Sequence, residues 1–455
     1  MNEITIREIE KAVEGRLFGS CAEEKICGVC TDSRNAEPGQ LFVPIIGEVH
    51  DAHKFLPQVY QRGCRTFFIA HEELAAVYPD CNVILVEDTT KALQKLSSWY
   101  LKKLKLKTVA VTGSVGKTTT RDMVYAILKK KYRTGTTVGN FNNDIGVPLT
   151  IFSFDNTLEA AVLEIGMDHF GEIHRLVDII RPDIGIITNA GVSHIENLGS
   201  REGILKAKME ITDYFGTENS LIINQDCDML CKVKDGKDYR LIRVGTGSDC
   251  AYQVSGLVDR GGDGVSYKLT AEGETFVVDL NIPGAHNGLN SALAIAACRA
   301  LDVEIGQAVQ ALSEIQLTGK RLTVLEKNGI KIIDDTYNAA PDSMKSAIKT
   351  LMHTEGKRKI AILAGMNELG EASREYHRQV GAFAREQRVD MLITVGEKAA
   401  DIKEGFGETG LHLETKEQLF PHLRNLIQAG DVILIKGSRT MEMEQVTEWI
   451  LKEQE

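Results

Sequence analysis

One stretch of this chain has the residue types and spacing to hold phosphate. The apolar run 108–112 reads as a buried strand. It leads into Gly113-Ser114-Val115-Gly116-Lys117-Thr118-Thr119, and a helical pattern follows. Gly113 and Gly116 let the backbone turn tightly, so that N–H groups of the turn, Ser114, Val115 and Thr119 included, face phosphate oxygens. Lys117 places a cation at the β- and γ-phosphates, and the Thr118 hydroxyl can ligate Mg2+. The spacing is two residues shorter than the general G-x-x-x-x-G-K-[ST] form. Strand, turn, lysine, hydroxyl and helix nonetheless fall in order, and we expect a nucleotide here.

A nucleotide site needs metal ligands. Glu164 ends a strand-like run, where a carboxylate can face the loop; taken alone it is also compatible with a part-exposed strand end. His194 follows another apolar run, and a lone loop histidine is most often solvated. Lys208 lies in a helical pattern, where a lone lysine is ordinarily solvated. Asn287 and Asn290 open a helix after Pro283-Gly284, and Asn287 suits an N-cap. Arg321 reads equally as a linker charge. Asp335, Tyr337 and Asn338 follow one strand end; Lys436, Ser438 and Arg439 follow another.

These residues need a scaffold that gathers strand ends. Residues 157–166, 183–189 and 220–224 read as strands separated by helical stretches, which predicts a mostly parallel sheet covered on both faces. From about 247 to 281 polar and apolar residues alternate around Gly261-Gly262, the pattern of antiparallel hairpins. A second α/β pattern begins at Lys331. Its four strand-then-loop units describe a small doubly wound domain with ligands at strand C-termini. The first hundred or so residues mix short strands and helices.

The 455 residues suggest about two to four domains. Hydrophobic residues at 43% and charged residues at 26% are ordinary for a globular protein and make disorder, collagen and coiled coil poor readings. A net charge of -11 argues against a broad nucleic-acid or membrane footprint. The opening residues are charged throughout and no apolar run reaches the roughly 18 residues of a membrane span. We therefore expect no secretory leader, no span and a cytoplasmic protein. Nine cysteines, an odd number, fit reduced thiols. Cys27 and Cys30 form a lone C-x-x-C without a second pair, and buried or edge thiols are favoured over a metal or redox site.

Several motifs occur together. Besides the phosphate loop they are 140–150 (Asn-Phe-Asn-Asn-Asp-Ile-Gly-Val-Pro-Leu-Thr), Glu164-Ile-Gly-Met, Thr188-Asn-Ala-Gly-Val-Ser-His-Ile and Ala207-Lys-Met-Glu. In this order they resemble the Mur ligase family, along nearly the whole chain. Further features are Thr31-Asp-Ser-Arg, 47–55, Asp334-Asp-Thr-Tyr-Asn-Ala-Ala-Pro, Asn367-Glu-Leu-Gly-Glu and Lys436-Gly-Ser-Arg. They resemble the family member that joins D-alanyl-D-alanine to UDP-N-acetylmuramoyl-tripeptide.

The resemblance implies an α/β fold of three domains. A mixed N-terminal UDP-binding domain would cover 1–90, a central P-loop ATPase domain 91–318, and a C-terminal Rossmann-like domain, binding the dipeptide, 319–455. It implies an ATP- and Mg2+-dependent ligase working through an acyl phosphate, and a monomer. Lys117 would bridge phosphates, and Thr118 and Glu164 would hold one Mg2+. His194 and a carbamylated Lys208 would hold a second. Asn287 or Asn290 would contact adenosine, Arg321 would close on the γ-phosphate, and Asp335, Tyr337 and Asn338 would touch nucleotide or dipeptide. Lys436, Ser438 and Arg439 would meet the dipeptide, Arg439 pairing with its carboxylate. Ser33, Arg34 and His53 would contact the uridine diphosphate. Two other readings stand beside this one: a paralogue using another amine, and a nucleotide-driven switch without ligase chemistry.

Overall fold

The computed structural model describes residues 1–453 except 20, 48, 236–237 and 316–321. Among the described residues the strands form a two-stranded ribbon and sheets of five, nine and six strands. The nine-stranded sheet carries the phosphate loop. Its order is Glu274–Leu280, Val265–Ala271, Tyr252–Asp259, Arg240–Gly245, Ser220–Asn224, Ile184–Ile187, Lys107–Thr112, Ala160–Glu164 and Thr134–Thr136. Pairings from Thr134–Thr136 through Tyr252–Asp259 are parallel. The last two are antiparallel, as the alternation in 247–281 predicts.

Successive residues of Lys107–Thr112 serve two cores. Val109 and Val111 pack in one, with Met123 and Leu293, and Ala110 packs in the other, with Leu163 and Ile173. A strand covered on both faces must be apolar at every position, which is why 108–112 reads as an unbroken run. The strand sits between Ile184–Ile187 and Ala160–Glu164, where the chain order reverses. Loops leaving such a switch point diverge and open a crevice. The expected strand at 157–166 is shorter, Ala160–Glu164, because Asp155 Oδ1 accepts from the Thr157 N–H (2.8 Å) and turns the chain first.

The six-stranded sheet has the order Thr323–Lys327, Ile330–Asp335, Asp431–Lys436, Arg358–Ala364, Met391–Val395 and Leu411–Leu413. Only Thr323–Lys327 pairs antiparallel among these described strands. The two outer strands were not expected. Both are short and half-exposed, so neither shows the buried apolar run of an inner strand.

In the five-stranded sheet, Arg16–Phe18, Asn82–Leu85, Thr66–Ile69, Gln40–Phe42 and Gly28–Cys30 lie in that order. Cys30 is on its edge strand and Cys27 is exposed just before; both are free thiols. The helix Thr89–Leu104 fastens this region to the central sheet. Asp88 caps it, Oδ1 accepting from the N–H groups of Thr90 (2.8 Å) and Lys91 (3.0 Å). Ile6 and Ile9 share one core with Leu93, Leu96 and Leu163. Each such buried side chain contributes about 1.5–3 kcal/mol. The Tyr100 hydroxyl accepts from the Asn2 N–H (2.7 Å) and donates to the Phe154 carbonyl (2.8 Å). Among the described residues no helix is long and apolar enough to cross a membrane.

Candidate active site

The helix Lys117–Leu128 points its N-terminus into the crevice. Gly116 precedes it at φ 82°, and no capping side-chain hydrogen bond is present there among the described residues, which leaves the first turn open to an anion. Gly113 has φ 156°, and a Cβ there would meet Thr188 Oγ1 at 1.9 Å. The loop is held by the end of the neighbouring strand. Thr188 Oγ1 and Asn189 Nδ2 donate to the Val115 carbonyl (2.6 and 3.0 Å). Asn189 Oδ1 accepts from the N–H groups of Ser114 (3.1 Å) and Val115 (3.0 Å). These two amides, expected to face phosphate, donate to Asn189 instead, because the adjacent strand end presents a fitting acceptor. Lys117 Nζ folds back over the turn to the Gly113 carbonyl (2.9 Å).

Glu164 is buried rather than part-exposed. Its Oε2 accepts from Thr118 Oγ1 (2.8 Å) and its Oε1 from Asn142 Nδ2 (2.9 Å). The buried Arg121 guanidinium stands 3.7 Å from Oε2. Thr118 and Glu164 thus offer oxygen donors side by side under the phosphate loop, a set that fits a hard divalent cation.

His194 begins the short helix Ile195–Leu198 from a left-handed backbone, φ 64°. Its Nδ1 lies 2.6 Å from Glu368 Oε2, across from the six-stranded sheet's domain. Lys208 is fully buried rather than solvated. Burial and the nearby Lys117 charge push its pKa well below the usual lysine value. Burial disfavours the charged form of this amine, and the position fits a carbamate, which would supply an oxygen ligand.

The cavity in front of these groups measures about 650 Å3 and is shared by the central and six-stranded sheets. Ser114 to Thr119, Glu164, His194, Asn287, Asn290, Asp335, Tyr337, Asn338, Lys436, Ser438 and Arg439 all line it. Gly113 and Lys208 are buried behind it. Asn287 is not the cap of its helix. It is the second residue of His286–Ala300, its Nδ2 donates to the Pro283 carbonyl (2.7 Å), and its Oδ1 accepts from Asn290 Nδ2 (3.0 Å). Asn290 in turn packs on Gly116, where a Cβ would approach its Nδ2 to 3.0 Å. Lys436 is buried, and its ammonium donates to Asp335 Oδ2 (2.5 Å) and to the Asn338 carbonyl (2.7 Å). Ser438 Oγ accepts from the Asn367 N–H (3.1 Å), and exposed Arg439 pairs with Glu444 (2.5 Å).

Ser33, Arg34 and His53 do not line this cavity; they lie with the five-stranded sheet. Ser33 Oγ donates to Gln58 Oε1 (3.2 Å), and exposed Arg34 pairs with Asp32 (2.7 Å). Buried His53 has Nδ1 2.6 Å from Asp51 and accepts from the Ala70 N–H at Nε2 (3.0 Å). Arg321 lies outside the described residues.

Residues 111–298 match the Mur ligase middle domain, and residues 320–439 match the Mur ligase glutamate ligase domain. The UDP-N-acetylmuramoyl-tripeptide–D-alanyl-D-alanine ligase of Bacillus subtilis is 36% identical, with 98% of each chain covered. The chain belongs to the Mur ligase family. The enzyme of the same name from Escherichia coli is 31% identical to this Mur ligase, again with 98% of each chain covered. A crystal structure of MurF from Acinetobacter baumannii superposes with a TM-score of 0.94 at 30% identity, covering 99% of both chains. MurF ligase from Thermotoga maritima, solved in complex with ADP, gives 0.84 at 28% identity, covering 94% of this chain and 97% of that one.

In this Mur ligase Asn142, Asp168, Asn189, His286 and Glu368 also line the cavity and buried Arg121 stands beside Glu164, and none of the six has a role expected from the sequence. Asn142 and Asn189 stand within quoted motifs, but their function lies in long-range hydrogen bonds. Arg121 follows the phosphate loop by one helical turn, and a buried arginine there signals a neighbouring carboxylate. His286 lines the cavity, and burial holds its pKa below the usual histidine value.

Proposed function

We propose that this chain is an ATP-dependent amide ligase that adds D-alanyl-D-alanine to UDP-N-acetylmuramoyl-tripeptide. The observation that carries the proposal is the cavity: a phosphate loop on one sheet faces strand-end polar groups of a second sheet across it. The family membership and the named relatives support the choice of substrates. Residues 1–90 are the uridine-binding domain, 91–318 the ATP-binding domain and 319–455 the dipeptide-binding domain. Ser33, Arg34 and His53 hold the uridine diphosphate end of the substrate. The protein works as a cytoplasmic monomer.

A free carboxylate is a poor electrophile, so it is first phosphorylated by ATP. Lys117 and the open first turn of Lys117–Leu128 hold the phosphates in line with the peptide carboxylate. Asn290 and Asn287 form the adenosine side, and Arg321 closes on the γ-phosphate. The dipeptide amine then attacks the acyl phosphate, and inorganic phosphate leaves. Tyr337, Asn338, Ser438 and Arg439 orient the dipeptide, with Arg439 on its carboxylate. Lys436 keeps Asp335 and Asn338 in place from behind. Thr118 and Glu164 would hold one Mg2+, and His194 with carbamylated Lys208 the other. Bound there, the ions supply charge neutralisation of the phosphoryl group.

The test is phosphate release from ATP and Mg2+ with the UDP-tripeptide, with and without D-alanyl-D-alanine. Release that needs both substrates, with the dipeptide mass added to the nucleotide peptide, is the expected result. Release only with a different amine would move the protein to another acceptor. Release indifferent to the UDP-peptide would leave a nucleotide switch.

A further inference from the structure

Glu368 has no part in the reaction as written above, yet it occupies a distinctive position. It follows the strand Arg358–Ala364, has φ 62°, and reaches from the third domain to His194 of the central one. His194 has φ 64°. Left-handed backbone costs a non-glycine residue on the order of 1–3 kcal/mol, so the surroundings hold both residues there. The two domains touch around the pair: a Cβ on Gly370 would stand 3.5 Å from the Glu196 backbone, and one on Gly191 2.5 Å from Asp342 Oδ2. His194 Nδ1 and Glu368 Oε2 are at ion-pair distance, 2.6 Å, without the alignment of a hydrogen bond. Catalytic contacts commonly tighten only once the site is filled. His194 and Glu368 line the same cavity as Lys117 and the phosphate loop.

A histidine that binds a cation through one ring nitrogen generally donates its other N–H to a carboxylate, and this fixes its tautomer and orientation. We propose that Glu368 is a positioning residue that the third domain lends to the cation site of the central domain. It holds His194 at Nδ1 and leaves Nε2 for the metal. The second cation is then held fully only with the third domain docked, which couples domain closure to assembly of the site. This rests on the assignment of His194 as a ligand.

The test uses the full chain with ADP and bicarbonate, and Mn2+ as the probe, with free Mn2+ followed by electron paramagnetic resonance. In E368Q the weaker of two Mn2+ sites should bind about ten- to a hundredfold less tightly, with the tighter site and the melting temperature unchanged. Glu368→Asp should fall between, and H194A/E368Q should be no weaker than H194A alone. If H194A loses the weaker site while E368Q keeps it within about twofold, the positioning role is overturned and the ligand assignment stands. If H194A binds both ions like the wild type, or the wild type binds one only, both are overturned. A lowered melting temperature in E368Q with unaltered Mn2+ binding would make Glu368 a domain contact and overturn the proposal.

Discussion

Asn189→Ala tests how the phosphate loop keeps its shape. The side chain makes three hydrogen bonds to the loop, at 3.1, 3.0 and 3.0 Å. At about 0.5–1.5 kcal/mol each, they hold the loop by roughly 1.5–4.5 kcal/mol. Water can reach amides of a loop that lines the cavity, which favours the lower part of that range, about 2 kcal/mol. This cost must appear somewhere in the cycle linking unfolded, folded and nucleotide-bound protein. If the loop stays ordered without nucleotide, urea unfolding shows the loss. If the loop disorders instead, ADP must reorder it, and the loss appears in Kd, where about 2 kcal/mol is roughly thirtyfold. The two measured shares should sum to about 2 kcal/mol. Asn189→Asp keeps the acceptor for both N–H groups, so it should retain most of the stability. It also sets a carboxylate beside the phosphates and should still weaken ADP. Unfolding and calorimetric ADP titration that both match the wild type in N189A would refute the reasoning.

Lys208→Arg cannot carry a carbamate; phosphate release should fall by about a hundredfold or more while ADP still binds, measured by calorimetry. Gly261→Ala places a Cβ 2.3 Å from the Thr354 N–H, where one backbone meets another and cannot yield, and urea unfolding should show a loss of about 2 kcal/mol or more. Asp51 sits between His53 and His71, and their hydrogen bonds lower its pKa from 3.8 to about 2 against the opposing effect of burial. A depressed carboxylate contributes stability that is full above pH 3.8 and is lost as pH falls toward 2. The stability gap between wild type and Asp51→Asn should therefore close over that acid window, followed by melting temperature. Tyr267→Phe removes the hydroxyl that meets Ser291 Oγ at 2.8 Å on the helix His286–Ala300, and should cost about 1 kcal/mol in unfolding while leaving ADP affinity unchanged.

The phosphate loop was legible because all its parts are local: a strand buried on both faces, a glycine turn and a helix start lie within a dozen or so residues. Asn189 was not. Its function depends on Ile187 pairing with Thr112 in the parallel register, which brings the end of a distant strand against the loop. Asn142 on Glu164 and Glu368 on His194 are hidden for the same reason. Arg34 pairs with Asp32 two residues away and is exposed, so its position in the fold adds nothing to what the resemblance implied. Lys208 is the instructive case. Read alone, it is a solvated lysine. Yet Ile204, Ala207 and Lys208 are the buried positions of Arg201–Met209, so the lysine stands in phase on the apolar stripe. Lys436 likewise ends a strand buried at every position, opposite Asp335 in the neighbouring strand. A charge written where the period demands an apolar side chain cannot be a solvated face, and it must find a partner, lose its proton or be modified. Charges that fall in phase with an apolar stripe mark a site more specifically than the residue type does, and they are visible before any fold is known.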